Sequence, residues 1–233
     1  MIYKEIAEYA SKVLRVVDQN SITLGMMKIQ IIIFDGFDEL DAIAPFEVLK
    51  TAKEIGADLQ AEFVTLDSSL EVVAAHGLRV QADAKLEVDQ KLDILIVPGG
   101  GWSNRATKGA WTEAQRGEIP AAIAQFHQSG TTIASVCTGA MVVAETGLLK
   151  GRPAITHHAA VEELRTLGAE IINARVVDDG DIVTAGGVTS GLDLTLWLIE
   201  RYLSPQVAHE VEKEMEYERR GTVWRRSGHN NPT

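Results

Sequence analysis

Residues 131–144 have the sequence TTIASVCTGAMVVA, and this stretch predicts the fold of the chain. Residues 131–136 are β-branched and apolar, which is typical of a short buried strand. Residues 138–149 are rich in small and apolar side chains, and they predict a helix that ends before Gly151. The only cysteine of the chain, Cys137, lies on the turn between strand and helix.

The position of Cys137 allows two interpretations. A sharp strand-to-helix turn lifts its central side chain clear of the sheet, as in the nucleophile elbows of hydrolases. The N–H groups at the start of the following helix would then favour a thiolate over a thiol. The alternative is a buried and inert cysteine, which is the usual state of a lone cysteine. The position of Cys137 in the sequence does not by itself distinguish a reactive cysteine from an inert one.

Composition narrows the class of protein. The chain has 233 residues, of which 45% are hydrophobic and 24% charged, as in an ordinary globular domain. A net charge of −11 argues against binding to nucleic acid or to an anionic membrane. No apolar run approaches a membrane span and no signal peptide is found. A single cysteine excludes an internal disulfide and suits the reducing cytoplasm.

Alternating strand and helix patterns predict the architecture. The runs KIQIIIF (28–34) and LDILIV (92–97) are almost continuously apolar, as expected of central parallel strands covered on both faces. Helical patterns separate the strands, so we predict an α/β fold with a mostly parallel sheet and helices on both faces. Ligands of such folds bind outside the carboxyl ends of the strands.

Candidate site residues follow these strands. Asp41 comes after the first strand, either as the N-cap of a helix that contains Pro45 or as a carboxyl displayed above the sheet. The glycines 99–101 follow the second central strand and allow backbone N–H groups to approach a ligand. His157 ends a short strand next to His158, but adjacent residues of a strand face opposite sides, so no metal site is expected. We predict that these residues converge with Cys137.

The domain organisation is predicted to be simple. Residues 1–27 have apolar positions at helical spacing and form either a helical extension or a dispensable segment before a natural start at Met26 or Met27. Residues 28–220 form a single α/β domain, and residues 221–233 are a polar, flexible tail.

Four segments of the chain resemble the ThiJ/PfpI superfamily, relatives of class I glutamine amidotransferases. The likeness extends from about Lys28 to Tyr217 and keeps the order of the motifs. It implies a flavodoxin-like three-layer sandwich, a nucleophile-elbow cysteine and a homodimer. The segments are IIIFDGFDELDAIAPFEVL (31–49), LDILIVPGG (92–100), SVCTGAMVVAETGLLKGRPAITHH (135–158) and DIVTAGGVTSGLDLTLWLIE (181–200).

Within the superfamily the motifs look most like the isonitrile hydratase family. Superfamily proteases carry histidine directly after the cysteine, where this chain has Thr138, and the deglycase-like branch carries glutamate where it has Asp41. The resemblance implies that Asp41, Cys137 and Thr138 are catalytic.

The mechanism expected from this resemblance hydrates an isonitrile to an N-substituted formamide. The Cys137 thiolate attacks the terminal carbon, and Asp41, kept protonated by the neighbouring thiolate, supplies a proton. Backbone N–H groups of Thr138 and of the loop formed by Gly99 and Gly100 stabilise negative charge, and His157 supports the site. A small-molecule substrate and no metal or cofactor are expected. The alternatives are glyoxalase or deglycase activity on α-oxoaldehydes and a cysteine redox sensor without turnover.

Overall fold

The computed structural model describes residues 25–226, which are built around one eight-stranded sheet. Neighbouring strands of this sheet follow the order β12-β10-β11-β7-β6-β1-β2-β5, while β3–β4 and β8–β9 form two small separate sheets. The strands are β1 (Met27–Ile32), β2 (Leu59–Thr65), β3 (Glu71–Val73), β4 (Arg79–Gln81), β5 (Ala84–Lys85), β6 (Ile94–Val97), β7 (Thr132–Ser135), β8 (Pro153–Ala154), β9 (Glu170–Ile171), β10 (Val176–Asp178), β11 (Ile182–Ala185) and β12 (Trp224–Arg225).

The main sheet is parallel except between β10 and β11. From β1 the chain first adds β2 on one side and later adds β6 and β7 on the other. The strand order therefore reverses between β1 and β6, and the loops after these two strands diverge and leave a crevice at their carboxyl ends.

Helices pack around the sheet in two groups, which confirms the predicted flavodoxin-like α/β architecture. The first, sixth and seventh helices contact one another, and the second, third and fourth form another set that the fifth joins. The helices are α1 (Glu39–Glu54), α2 (Ala110–Arg116), α3 (Glu118–Gln128), α4 (Gly139–Ala144), α5 (Val161–Thr166), α6 (Ser190–Tyr202) and α7 (Pro205–Glu214), and one 3₁₀ turn spans His158–Ala160.

The core follows from the apolar runs of the sequence. All four residues of β6, of β7 and of β11 are buried, because these central strands are flanked by strands on both edges and are covered by helices. None of the helices within residues 25–226 is long and apolar enough to cross a membrane.

Two predicted helices are shorter than expected. The helix predicted over residues 138–149 is only α4, because the chain turns at Gly147 with a φ of +80°. The sequence also predicts a last helix over residues 206–220, but this helix, α7, ends at Glu214.

Two parts of the chain occupy places in the structure that the sequence did not predict. Proline is expected in the first turn of a helix, but Pro45 lies in the second turn of α1, and its ring packs against Gly191 of α6. Trp224 and Arg225, predicted to belong to a flexible tail, pair with β10 as the edge strand β12. Residues 1–24 of the predicted extension and residues 227–233 lie outside the described residues.

The first residue of helix α4, Gly139, lies in close contact with the end of β6. A substitution at Gly139 therefore tests this packing. A Cβ at Gly139 would overlap the carbonyl oxygen of Val97, whereas one at Gly191 would lie 3.3 Å from the Pro45 ring. We expect Gly139→Ala to lower the free energy of unfolding by about 2 kcal/mol or more, and Gly191→Ala by less than about 1 kcal/mol. Chemical denaturation measures both, and equal losses would contradict the close approach of α4 to β6.

Candidate active site

Cys137 occupies a strained turn directly after β7. Its φ is +57°, in the left-handed region that non-glycine residues rarely adopt and that costs about 1–3 kcal/mol. Hydrogen bonds on both sides hold this backbone: the Cys137 N–H donates to the Gly186 carbonyl at 2.8 Å, and the Thr156 hydroxyl donates to the Cys137 carbonyl at 2.9 Å. The predicted elbow backbone is present, and the side chain is 6% exposed at the base of a cleft.

Asp41 lies in the first turn of α1 and is completely buried. The Gly99 N–H donates to its Oδ2 at 3.0 Å, while its Oδ1 has no hydrogen-bond partner within residues 25–226. The interpretation of Asp41 as the N-cap is wrong, because Asp38 caps the helix by accepting the Leu40 N–H at 3.3 Å. Asp41 is therefore a carboxyl directed at the site.

The Asp41 carboxyl holds its proton at neutral pH. Burial, and then the negative charge of Asp38, raise its pKa from 3.8 to about 8, and the Gly99 N–H bond and the nearby Cys137 thiol oppose this only in part. The protonated state matches the expectation, but its cause does not. Removal from water and Asp38 supply the effect that was attributed to a neighbouring thiolate.

Cys137 is a thiol at neutral pH, which corrects the expected thiolate. Burial, and then the charge that Asp41 carries once it is ionised at higher pH, raise its pKa to about 12, and the N–H groups of Val188 and Thr138 oppose this only in part. Helix α4 has six residues, so its dipole offsets little of the loss of hydration. The resting site thus contains a neutral acid next to a neutral thiol.

The loop after β6 supports the site differently from the prediction. Gly99 and Gly100 were expected to offer free N–H groups to an oxyanion, but the Gly99 N–H binds Asp41 and the Gly100 N–H donates to Thr138 Oγ1 at 3.0 Å. A Cβ at Gly99 would overlap the Thr138 hydroxyl and backbone nitrogen. The two glycines hold the catalytic candidates Asp41 and Thr138 in place.

His157 lies at the side of the same cleft. It is half-buried and packs against Gly187, where an added Cβ would be 2.6 Å from its Cδ2. Its Nδ1 accepts the Ala159 N–H at 3.3 Å, so in the neutral ring the proton is on Nε2. Burial and the neighbouring His158 lower the pKa of His157, which keeps the imidazole neutral near pH 7.

Sequence reasoning missed two residues of the site. Val188 has a φ of +38°, a rare conformation for a β-branched residue, and its N–H acts on the Cys137 sulfur. The glycine-rich loop 186–191 was a signal for such a turn, but nothing in it singles out Val188. Asp38 lines the cleft, but in the sequence its position just before α1 indicates only a helix cap.

The cleft above Cys137 has a volume of about 590 Å³, which suits a small molecule. Residues 102–111 are an irregular, aromatic segment whose sequence suits either a pocket wall or a surface loop, and residues 102–104 and 106–108 line this cleft. Trp102 is anchored there by an Nε1–H bond to Glu163 at 2.9 Å, and Arg105 lies 3.9 Å from the ring centre of Trp111. Within residues 25–226 no group of three His, Cys, Asp or Glu side chains could hold a metal.

Comparison with known proteins identifies the family of the chain. Residues 27–201 match the DJ-1/PfpI family. The chain is 32% identical over 192 residues to isonitrile hydratase from Pseudomonas putida, covering 82% of this chain and 78% of that enzyme. It is 32% identical over 162 residues to a deglycase from Thermococcus kodakarensis, covering 68% and 89% of the two chains.

The tertiary structure gives the same result. A ThiJ/PfpI family protein from Pseudomonas syringae superposes with a TM-score of 0.72 at 25% identity, covering 88% of this chain and 85% of that one. The match extends through every motif on which the resemblance was based, from β1 to the end of α6. The chain therefore belongs to the DJ-1/PfpI family.

Proposed function

We propose that the protein is a cysteine-dependent enzyme that adds water to an isonitrile and releases an N-substituted formamide. One observation carries this proposal: the Asp41 carboxyl is fixed through Oδ2 to the Gly99 N–H, and its unpartnered Oδ1 is buried at the site of the Cys137 thiol. An acid with one oxygen held and the other available can exchange protons beside a nucleophile. The identity to isonitrile hydratase supports the choice of substrate.

In the first step the thiol adds to the terminal carbon of R–N≡C. The S–C bond forms, the Asp41 proton passes to the same carbon, and the thiol proton replaces it on Asp41. The product is a neutral thioimidate, R–N=CH–S–Cys137. No net charge has to be buried, which fits a site where burial raises the pKa of both groups.

In the second step water attacks the carbon of the thioimidate and its proton goes to the imidate nitrogen. The C–S bond then breaks, the hydroxyl proton returns to sulfur through Asp41, and R–NH–CHO leaves. The N–H groups of Val188 and Thr138 stabilise negative charge on sulfur during this step. The Thr138 hydroxyl, held by the Gly100 N–H, orients water, and the neutral His157 forms the adjacent wall.

Activity on α-oxoaldehydes is the second candidate, favoured by the identity to a deglycase. The shorter acid Asp41 favours the isonitrile reaction, since the deglycase-like branch carries glutamate at this position. A redox sensor is disfavoured because peroxide reacts with thiolates, and burial raises the pKa of the Cys137 thiol to about 12.

The activity is tested with a panel of isonitriles and α-oxoaldehydes. We expect formamide from an isonitrile, no turnover in Cys137→Ala, and a loss in kcat/KM of about 10²-fold or more in Asp41→Asn. Glu162→Gln serves as the control, because Glu162 is exposed and does not line the cleft. Unchanged turnover in Cys137→Ala, or consumption of α-oxoaldehydes alone, would overturn the isonitrile proposal.

The proton on Asp41 also predicts how stability depends on pH. Between about pH 4 and 8 the folded protein keeps this proton, whereas the unfolded chain, with the ordinary pKa of 3.8, has lost it. The folded state binds more protons, so stability falls with rising pH, by up to ~1.4 kcal/mol per unit.

In the Asp41→Asn variant residue 41 does not titrate. Comparison of this variant with wild type therefore isolates the contribution of the Asp41 proton to stability. We expect the free energy of unfolding of the variant to rise relative to wild type across the same pH range, as measured by chemical denaturation at fixed ionic strength. Its side-chain oxygen can still accept the Gly99 N–H, so the packing is preserved. A difference that stays constant with pH would show that Asp41 is ionised in the folded protein.

We also propose that the protein is a homodimer in the cytoplasm. The dimer rests on the family resemblance, and the location on the lone cysteine, which suits a reducing compartment. Light scattering after size-exclusion chromatography is expected to give twice the chain mass of 25.3 kDa. A mass of one chain at micromolar concentration would exclude the dimer.

A further inference from the structure

Asp38 is a half-buried carboxylate that lines the cleft beside the two proposed catalytic groups. Its backbone N–H donates to the Gly99 carbonyl at 2.9 Å, and its Oδ1 accepts the Leu40 N–H at 3.3 Å. These two bonds hold the residue at the start of α1. Neither bond is to a cation, so the negative charge of Asp38 is not neutralised by them.

The cationic side chains that line the cleft, and the nearby Arg105, are each paired with a carboxylate other than Asp38. Within residues 25–226, Lys108 Nζ lies 2.6 Å from Asp35, His76 Nδ1 lies 2.6 Å from Glu39, and the Arg105 guanidinium lies 3.1 Å from Glu163. His157 is neutral near pH 7 because burial and His158 lower its pKa. The cleft therefore carries a surplus of negative charge located at Asp38.

The negative charge of Asp38 acts on titratable groups on several sides of the cleft. As a secondary influence it favours the protonated forms of three groups, Asp41 at the base, His157 at the side and His76 on the β3–β4 hairpin. A substrate bound against Cys137 lies among these groups, because the same cleft contains all of them except the buried Asp41. A second negative charge brought there would be repelled in surroundings that screen poorly.

We propose that Asp38 determines which substrates the cleft accepts: isonitriles that are neutral or positively charged enter, and those with a carboxylate near the reacting carbon are rejected. This inference rests on the proposed function for its substrate class. Like charges that share a cleft near a protein surface predict discrimination on the order of tenfold or more. The effect weakens as salt concentration rises.

Asp38→Asn removes the charge while keeping the helix cap, because asparagine is as good an N-cap as aspartate. The substrates are a matched pair, an isonitrile bearing a carboxylate and its methyl ester. We expect wild type to favour the ester in kcat/KM by about tenfold and the variant to lose most of this preference. Asp89→Asn, at an exposed carboxylate outside the cleft, is expected to retain it.

Alkylation of Cys137 tests the charge effect without any turnover. Iodoacetamide is neutral and iodoacetate is negative, and the single cysteine makes the mass change unambiguous. We expect wild type to disfavour iodoacetate more strongly than a free thiol does, and Asp38→Asn to bring the ratio of rates close to that of the free thiol. Any change in thiol pKa caused by the substitution affects both reagents and cancels in the ratio.

The outcomes separate the two proposals. If no isonitrile is hydrated but the alkylation ratio changes as expected, the proposed function fails and the role of Asp38 stands. If isonitriles are hydrated and both ratios are the same in wild type and Asp38→Asn, the role of Asp38 is refuted and the function stands.

Discussion

The hydrogen bond from the Gly99 N–H to Asp41 Oδ2 is the contact on which the site depends. It joins the first turn of α1 to the loop after β6, the two segments that border the point where the strand order reverses. The contact requires a residue without a side chain at Gly99, because a Cβ there would overlap Thr138 at the start of α4. One backbone donor thus brings a carboxyl from early in the chain to the cysteine turn.

Burial then gives the site its chemical character. Both acidic groups are removed from water, so the pKa of Asp41 rises to about 8 and the pKa of Cys137 to about 12. No cation contributes to either pKa shift, and both groups keep their protons at neutral pH. Such a site is suited to adding S–H to a neutral substrate with transfer of protons, and less suited to a preformed thiolate.

Much of the architecture could be predicted because it depends on local patterns. The continuous apolar runs at 28–34 and 92–97 belong to the central strands β1 and β6, and the run at 131–136 contains β7. Helix ends were predicted less well, since the predicted helix was extended to the apolar Leu148 and Leu149 although the chain turns after Ala144. The edge strand at Trp224 was missed because its pairing with β10 depends on a distant partner.

The sequence by itself determined the fold class, the order of the central strands, and the set of residues that follow them, because hydrophobic periodicity and turn chemistry are local properties. It also placed Cys137 on the turn after β7. Only the tertiary structure decided the protonation of Cys137 and Asp41, the use of the Gly99 and Gly100 N–H groups, and the exposure of Asp38 to the cleft. These properties depend on burial and on charges from segments far apart in the chain, which no local pattern records.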